Sequence, residues 1–281
     1  MENDGRTDGT IKNTAKLLRT LELHTDLENP QAVKHFIASK KISNNYKRNL
    51  CIAYDKYCKY YKIEWEKPIY RPNPKMVRIP TTTQLETLIG YARQTMSIKL
   101  TVSKETGLRP TELCNLKVRD IDFNQRLIYP TTAKNGAPRR LKISTNLKQR
   151  LREHIDKHNL EPSDNLFKGD SENYAKYYRQ MRNKLAKKLG KPELRAIRLY
   201  DFRHYFATML YHRTRDILFV KLQMGHKKIE TTLIYTQLLN LEDDEWTCKT
   251  STNAKRSQEL IEAGFEYVTD QDGLKLFRKR K

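Results

Sequence analysis

The sequence predicts a mainly α-helical protein with a small antiparallel β-sheet (α+β), organised in two domains. Three observations predict it. Apolar residues recur at helical spacing from Ile11 to Met224. One interval, between Leu116 and Ser144, turns extended around an Asn135-Gly136 pair. Four prolines between Lys67 and Pro80 interrupt regular structure and stiffen the chain between two basic halves.

Residues 1–10 are polar and contain glycine, so they read as a flexible N-terminus. Residues 11–68 read as a helical domain. Ile11, Ala15, Leu18 and Leu21 form a first amphipathic stripe, and Val33, Phe36 and Ile37 a second. The third helix runs from about Asn44 to Lys62, with Ser43 as its N-cap. Tyr46, Leu50, Ala53, Tyr54, Tyr57, Cys58 and Tyr61 share one face, which is read as core ahead of a base-stacking platform. Lys47, Arg48, Lys56, Lys59 and Lys62 line the other face, suited to phosphates or simply to water.

Residues 69–80 are the linker, and 81–245 the second domain. Thr83 to Glu86 (TQLE) has the pattern of a capping box ahead of Leu88, Ile89 and Ala92. The next helix stops at Gly107. Pro110 suits the first turn of the following one, which sets Arg109 at a helix N-terminus where dipole and guanidinium point at one anion. Arg126–Tyr129 and Arg139–Ile143 flank the Asn-Gly turn as a hairpin, with Lys134 near its tip. Leu147, Leu151 and Ile155 begin the helical return. Helices follow at about 174–189, stopped by Gly190 and Pro192, then 200–212 and 217–224. Residues 244–257 are polar and weakly patterned. The tail, 246–281, ends in an alternating hairpin that turns at Asp272-Gly273.

The chain has 281 residues, enough for two domains with a sizeable core, and a net charge of +22. Residues 1–80 hold 16 Lys+Arg against 9 Asp+Glu, a net of +7, so the remainder carries +15. The basicity is spread through both halves, which points to a polyanion partner ahead of a merely solvated surface. Two basic domains joined by a stiff linker suit a clamp around a duplex. The four cysteines show no C-x-x-C spacing, which argues against a disulfide framework or zinc site and fits a reducing cytosol. No apolar run approaches the roughly 18 residues of a membrane span, and the N-terminus has no apolar signal core.

Chemistry is suggested by two arginines and a tyrosine. Arg stays protonated and offers planar bidentate donors, so Arg109 and Arg203 suit a phosphodiester whose equatorial oxygens gain charge in the transition state. Tyr235 is one of 16 tyrosines. As a nucleophile it would store bond energy in a phosphotyrosine, and its ordinary pKa of ~10 requires help from cations or a base. Lys134 on its hairpin suits protonation of a leaving oxygen. His226, nine residues before Tyr235, suits a phosphate hydrogen bond. Each has a plainer reading as well: ion pair, core phenol, exposed loop lysine, helix C-terminal histidine.

The runs TGLRPTEL (106–113), FRHYFAT (202–208) and MGHKKIETTLIY (224–235) resemble the three signature blocks of the tyrosine recombinase family, which includes phage integrases and Xer recombinases. The resemblance covers about 81–239. It implies the tyrosine recombinase catalytic fold and site-specific cleavage and rejoining of double-stranded DNA at an inverted repeat. The implied intermediate is a 3′-phosphotyrosine, formed by a homotetramer in the cytoplasm, at the nucleoid, without metal, ATP or other cofactor. Arg109 and Arg203 would be the catalytic arginines, Lys134 the general acid, His226 the phosphate-contacting histidine and Tyr235 the nucleophile. His204 would be mainly structural. The family usually has a histidine, sometimes a lysine or tyrosine, three residues before the second arginine; this chain has Tyr200, which puts a general-base role there in doubt. The C-terminal tail would pack on a neighbouring subunit. A type IB topoisomerase-like relaxase and a catalytically inactive DNA-binding protein remain the alternatives.

Overall fold

The computed structural model describes residues 5–71, 77–132, 136–236, 246–271 and 273–280. The chain divides into two compact units, Met1–Met76 and Val77–Lys281. It is mostly helical with small antiparallel sheets.

The described residues of the first unit hold three helices: α1 (Asp8–Glu22), α2 (Pro30–Ser39) and α3 (Asn44–Tyr61). Local chemistry sets two of the starts. The Asn29 side chain accepts from the Gln31 and Ala32 amides, and Ser43 Oγ accepts from the Tyr46 amide. Leu21, Val33, Ile37, Leu50, Cys51 and Tyr54 close the core. Tyr54 stays in it because its hydroxyl donates to the Leu27 carbonyl at 2.8 Å, while Trp65 packs edge-on at 4.7 Å. The aromatic stripe is buried in its middle and open at both ends: Tyr46 and Tyr61 are exposed.

In the second unit α4 (Thr82–Tyr91) opens with a capping box, but two residues earlier than the sequence pattern suggests. Thr81 and Gln84 form it, since T-x-x-Q satisfies the same rule and this start buries Leu85 and Leu88. Next come α5 (Gln94–Thr106) and α6 (Pro110–Cys114). A three-stranded antiparallel sheet follows, β1 (Ile121–Asp122), β2 (Leu127–Ile128) and β3 (Leu141–Lys142), in the order β1-β2-β3. Then come α7 (Thr145–Lys157), α8 (Ser171–Lys188), α9 (Leu199–Thr214), α10 (Ile217–Met224) and α11 (Glu230–Leu233). The core runs between α5, which buries Ile98, Leu100 and Val102, and α9, which buries Phe202, Tyr205 and Ala207.

The C-terminal segment holds more than the expected hairpin. Strand β4 (Trp246–Ser251) and helix α12 (Ala254–Glu262) precede β5 (Glu266–Gln271) and β6 (Leu274–Arg280), and the sheet order is β4-β6-β5. Of the stretch read as weakly patterned, residues 246–257 hold a strand and the start of a helix, and 244–245 lie outside the described residues. Its strand has no apolar alternation because backbone pairing with β6 and a buried Ser251–Ser257 hydroxyl contact hold it.

Candidate active site

Four segments of the second unit supply the site. The first is the turn from α5 into α6. Gly107 ends α5 at φ 62°, and a Cβ there would lie 2.5 Å from Phe206 Cδ1, so glycine is required twice over. This turn aims the Gly107 carbonyl at α9, where Arg203 Nη1 donates to it at 2.6 Å. Arg203 Nη2 donates to the Met224 carbonyl at 2.5 Å and to His226 Nε2 at 3.2 Å. Arg203 is 1% exposed, so its guanidinium is a fixed plate beneath the site. Burial, then the charge of Arg109, pulls its pKa down to about 10, still far above neutrality.

Arg109 is the N-cap of α6, and its side chain is 18% exposed. The Arg109 amide and guanidinium do point at one anion, and within the resting protein that anion is Glu112. The five-residue helix has its own carboxylate at that end: Glu112 accepts from the Arg109 amide (3.0 Å) and from Arg109 Nη1 (2.7 Å). Glu112 also accepts from Arg139 Nη2 at 2.6 Å, with both side chains fully buried. Burial would raise the Glu112 pKa. The Arg139 hydrogen bond, the Arg109 amide and both guanidinium charges outweigh it and hold the value at about 2. Glu112 is therefore an anion that orients Arg109 and ties it to the strand end carrying Arg139.

Gly225 is the left-handed C-cap of α10, and a Cβ on it would lie 2.9 Å from Arg139 Nη1. Its carbonyl accepts from the Ala137 amide. The residues after the hairpin loop thus sit directly against the His226 turn. Because a guanidinium can only donate, His226 Nε2 accepts from Arg203, and Nδ1 carries the proton to Thr232 Oγ1 at 3.0 Å. Burial first, then Arg203, Arg109 and Arg139, pull the His226 pKa down to about 4, so the ring is neutral at pH 7.

Tyr235 follows α11 and is 2% exposed, packed with Ala207, Leu210, Val220 and Met224. Its hydroxyl lies 3.0 Å from His204 Nδ1. Burial raises its pKa, against the pull of the Arg203 and Arg109 charges. Tyr200 is 44% exposed and meets the His204 ring edge-on at 5.1 Å.

Of the six residues singled out from sequence, Arg109, Tyr200, Arg203, His226 and Tyr235 converge around α9. Lys134 lies outside the described residues. Sequence reasoning missed Glu112 and Arg139, and it did not foresee the contact between His204 and Tyr235. Glu112 had a signal, since it stands three residues after an N-cap position in the first signature block. Arg139, one of 55 basic residues, had none.

The phage integrase family model matches residues 78–242, more than half the chain. The chain belongs to the phage integrase family. Among its relatives, the tyrosine recombinase XerA of Saccharolobus solfataricus is 30% identical over 193 residues, 68% of this chain and 63% of that protein. The XerA of Pyrococcus furiosus is 30% identical over 134 residues, 47% of this chain and 46% of that one. In both cases the match spans less than two thirds of the relative's length. Among solved structures, the integrase of transposon Tn1549, in complex with transposon right-end DNA, superposes with a TM-score of 0.64. It is 18% identical and covers 92% of this chain and 95% of that one. That identity speaks for the fold: the second unit has the tyrosine recombinase catalytic fold.

Proposed function

We propose that this chain is a site-specific DNA recombinase that cleaves and rejoins strands of double-stranded DNA through a covalent 3′-phosphotyrosine intermediate. One observation carries the reading. A buried arginine, pinned by two backbone carbonyls, lies beside a second, partly exposed arginine, and a buried tyrosine sits in the field of both.

The chemistry follows from these positions. A scissile phosphate over Arg203 and Arg109 meets two preorganised cations that match the charge on its equatorial oxygens. Preorganisation is built in, because neither guanidinium has to travel: Arg203 is held by carbonyls and Arg109 by Glu112. The resting Tyr235 is a neutral phenol, so attack on phosphorus requires loss of its proton. The P–O bond to the 5′-oxygen breaks as the Tyr235 Oη–P bond forms, and Lys134 supplies the leaving oxygen's proton. A strand with a free 5′-hydroxyl then reverses the step and completes exchange. The reaction needs neither metal nor ATP. The N-terminal helical unit, 11–68, serves as a second DNA-binding element, joined through 69–80 to the catalytic unit, 81–245. The working assembly is a homotetramer on an inverted-repeat site, acting on cytoplasmic DNA. No helix among the described residues is long and apolar enough to cross a membrane.

The test is covalent capture. The full chain is incubated with a randomised pool of nicked duplexes, whose short strand diffuses away after cleavage, and denatured protein is recovered with its bound DNA. A recombinase recovers a defined sequence with inverted symmetry and forms joint molecules on two intact copies of it. Recovery without sequence preference, with relaxation of supercoils and no joint molecules, would mean a relaxase instead. No covalent species at all would reject the reading.

A further inference from the structure

The site leaves one requirement open. Tyr235 has to lose a proton on attack, and Tyr200, at the position three before Arg203, is a phenol that is 44% exposed. An imidazole stands elsewhere. His204, one residue after Arg203 on the same helix, places Nδ1 3.0 Å from the Tyr235 hydroxyl. Their ring centroids are 5.8 Å apart, and the contact joins residues 31 apart in sequence.

We propose that His204 is the catalytic proton acceptor for Tyr235, taking at Nδ1 the phenolic proton as the Oη–P bond forms. The proposal rests on the reading of Tyr235 as the nucleophile. The step balances within the site. The phenol oxygen gives an electron pair to phosphorus, its proton moves to Nδ1, and the P–O bond to the 5′-oxygen breaks as that oxygen takes the proton Lys134 supplies. When a 5′-hydroxyl attacks the phosphotyrosine, its proton goes back to Lys134 and the proton on His204 returns to the departing phenolate.

Four features support the assignment. A neutral phenol is a stronger hydrogen-bond donor than a neutral imidazole N–H, so the pair is held as O–H to Nδ1, the arrangement a base requires. His204 is half-buried, and burial, with Arg198 and Arg203, holds its pKa below the ordinary value, which keeps the ring uncharged at neutral pH. Asp201, on the first turn of the same helix, acts the other way and favours the imidazolium once it forms. The titratable and charged groups facing His204 are therefore Arg198, Tyr200, Asp201 and Arg203 on its own segment. Tyr235 faces it from beyond α11, and His226, which is neutral, from beyond α10. Tyr200 packs edge-on against the ring at 5.1 Å and fixes its orientation.

The test uses the full chain and the duplex recovered by covalent capture. His204→Asn keeps a hydrogen-bond acceptor near the Nδ1 position but cannot take a proton. Duplex binding and thermal melting report whether it folds. The expected result is native binding and melting, with cleavage slowed roughly 10²–10⁴-fold. The pH profile separates base from scaffold. Wild-type cleavage rises through the acid range and is flat by neutrality, whereas His204→Asn keeps rising into the alkaline range as the phenol ionises unaided. A fluorinated tyrosine at position 235, with a more acidic phenol, restores much of the lost rate in His204→Asn and changes the wild type little. His204→Gln is the second variant if His204→Asn does not fold. The proposal is overturned if a folded variant cleaves within a few-fold of wild type with an unchanged pH profile. It is equally overturned if Tyr200→Phe, rather than His204→Asn, removes the pH dependence. An inactive wild type would instead fail at the capture step, which marks failure of the functional reading itself.

Discussion

Replacing Glu112 with glutamine probes the scaffold beneath Arg109. The Glu112 and Arg139 side chains are fully buried and 2.6 Å apart, and Arg109 Nη1 adds a contact at 2.7 Å. Two routes give the magnitude. A carboxyl brought from its ordinary 4.5 to about 2 corresponds to roughly 3 kcal/mol, at about 1.36 kcal/mol for each tenfold change. Removing one member of a buried ion pair costs about 3–5 kcal/mol, because the other charge is left buried without its partner. The agreement supports a loss of about 3 kcal/mol in Glu112→Gln at pH 7. The sign with pH follows from a folded pKa lying below the unfolded one. The contribution is complete above about pH 5 and disappears as pH falls through 4.5 toward 2. Urea unfolding of both proteins at a series of pH values between 3 and 7 measures it. A gap that is full at pH 7 and narrows below pH 5 is expected. A variant within about 0.5 kcal/mol of wild type at pH 7, or a gap that ignores pH, would refute the reasoning.

Three more outcomes follow from the site. Arg203→Lys preserves a charge but not the two-carbonyl fork, so duplex binding stays and covalent adduct formation falls roughly 10²–10³-fold, read by denaturing electrophoresis. Gly107→Ala forces a Cβ to 2.5 Å from Phe206 at a positive φ, and should lower stability by about 1–3 kcal/mol in urea unfolding. Tyr235 is buried in its own subunit, so cleavage in cis is expected: mixtures of Tyr235→Phe with Arg203→Lys recover no adduct beyond the weak activity of Arg203→Lys itself.

Much of this was legible in sequence, for reasons that differ by element. The third helix announces itself by a long apolar stripe and a serine cap, both local signals, and Ser43 caps it as expected. Gly107 and Gly225 punctuate helices because a left-handed residue is needed there. The arginines and Tyr235 were found by the spacing of three blocks, which fixes their order but not their contacts. What escaped notice depends on residues far apart in the chain. Glu112 and Arg139 meet across 27 positions, and His204 meets Tyr235 across 31. Nothing in a local pattern marks either pair. Strand β4 escaped for a similar reason. Its order comes from pairing with β6, nearly thirty residues on, and not from any alternation of its own.

The central claim is that the Tyr235 oxygen becomes bonded to phosphorus. Mass spectrometry of the proteolysed, captured adduct measures this directly. The account predicts a nucleotide linked by its 3′-phosphate to the peptide containing Tyr235, and no adduct from Tyr235→Phe. A nucleotide mapped to any other residue, or an adduct that survives in Tyr235→Phe, would contradict it.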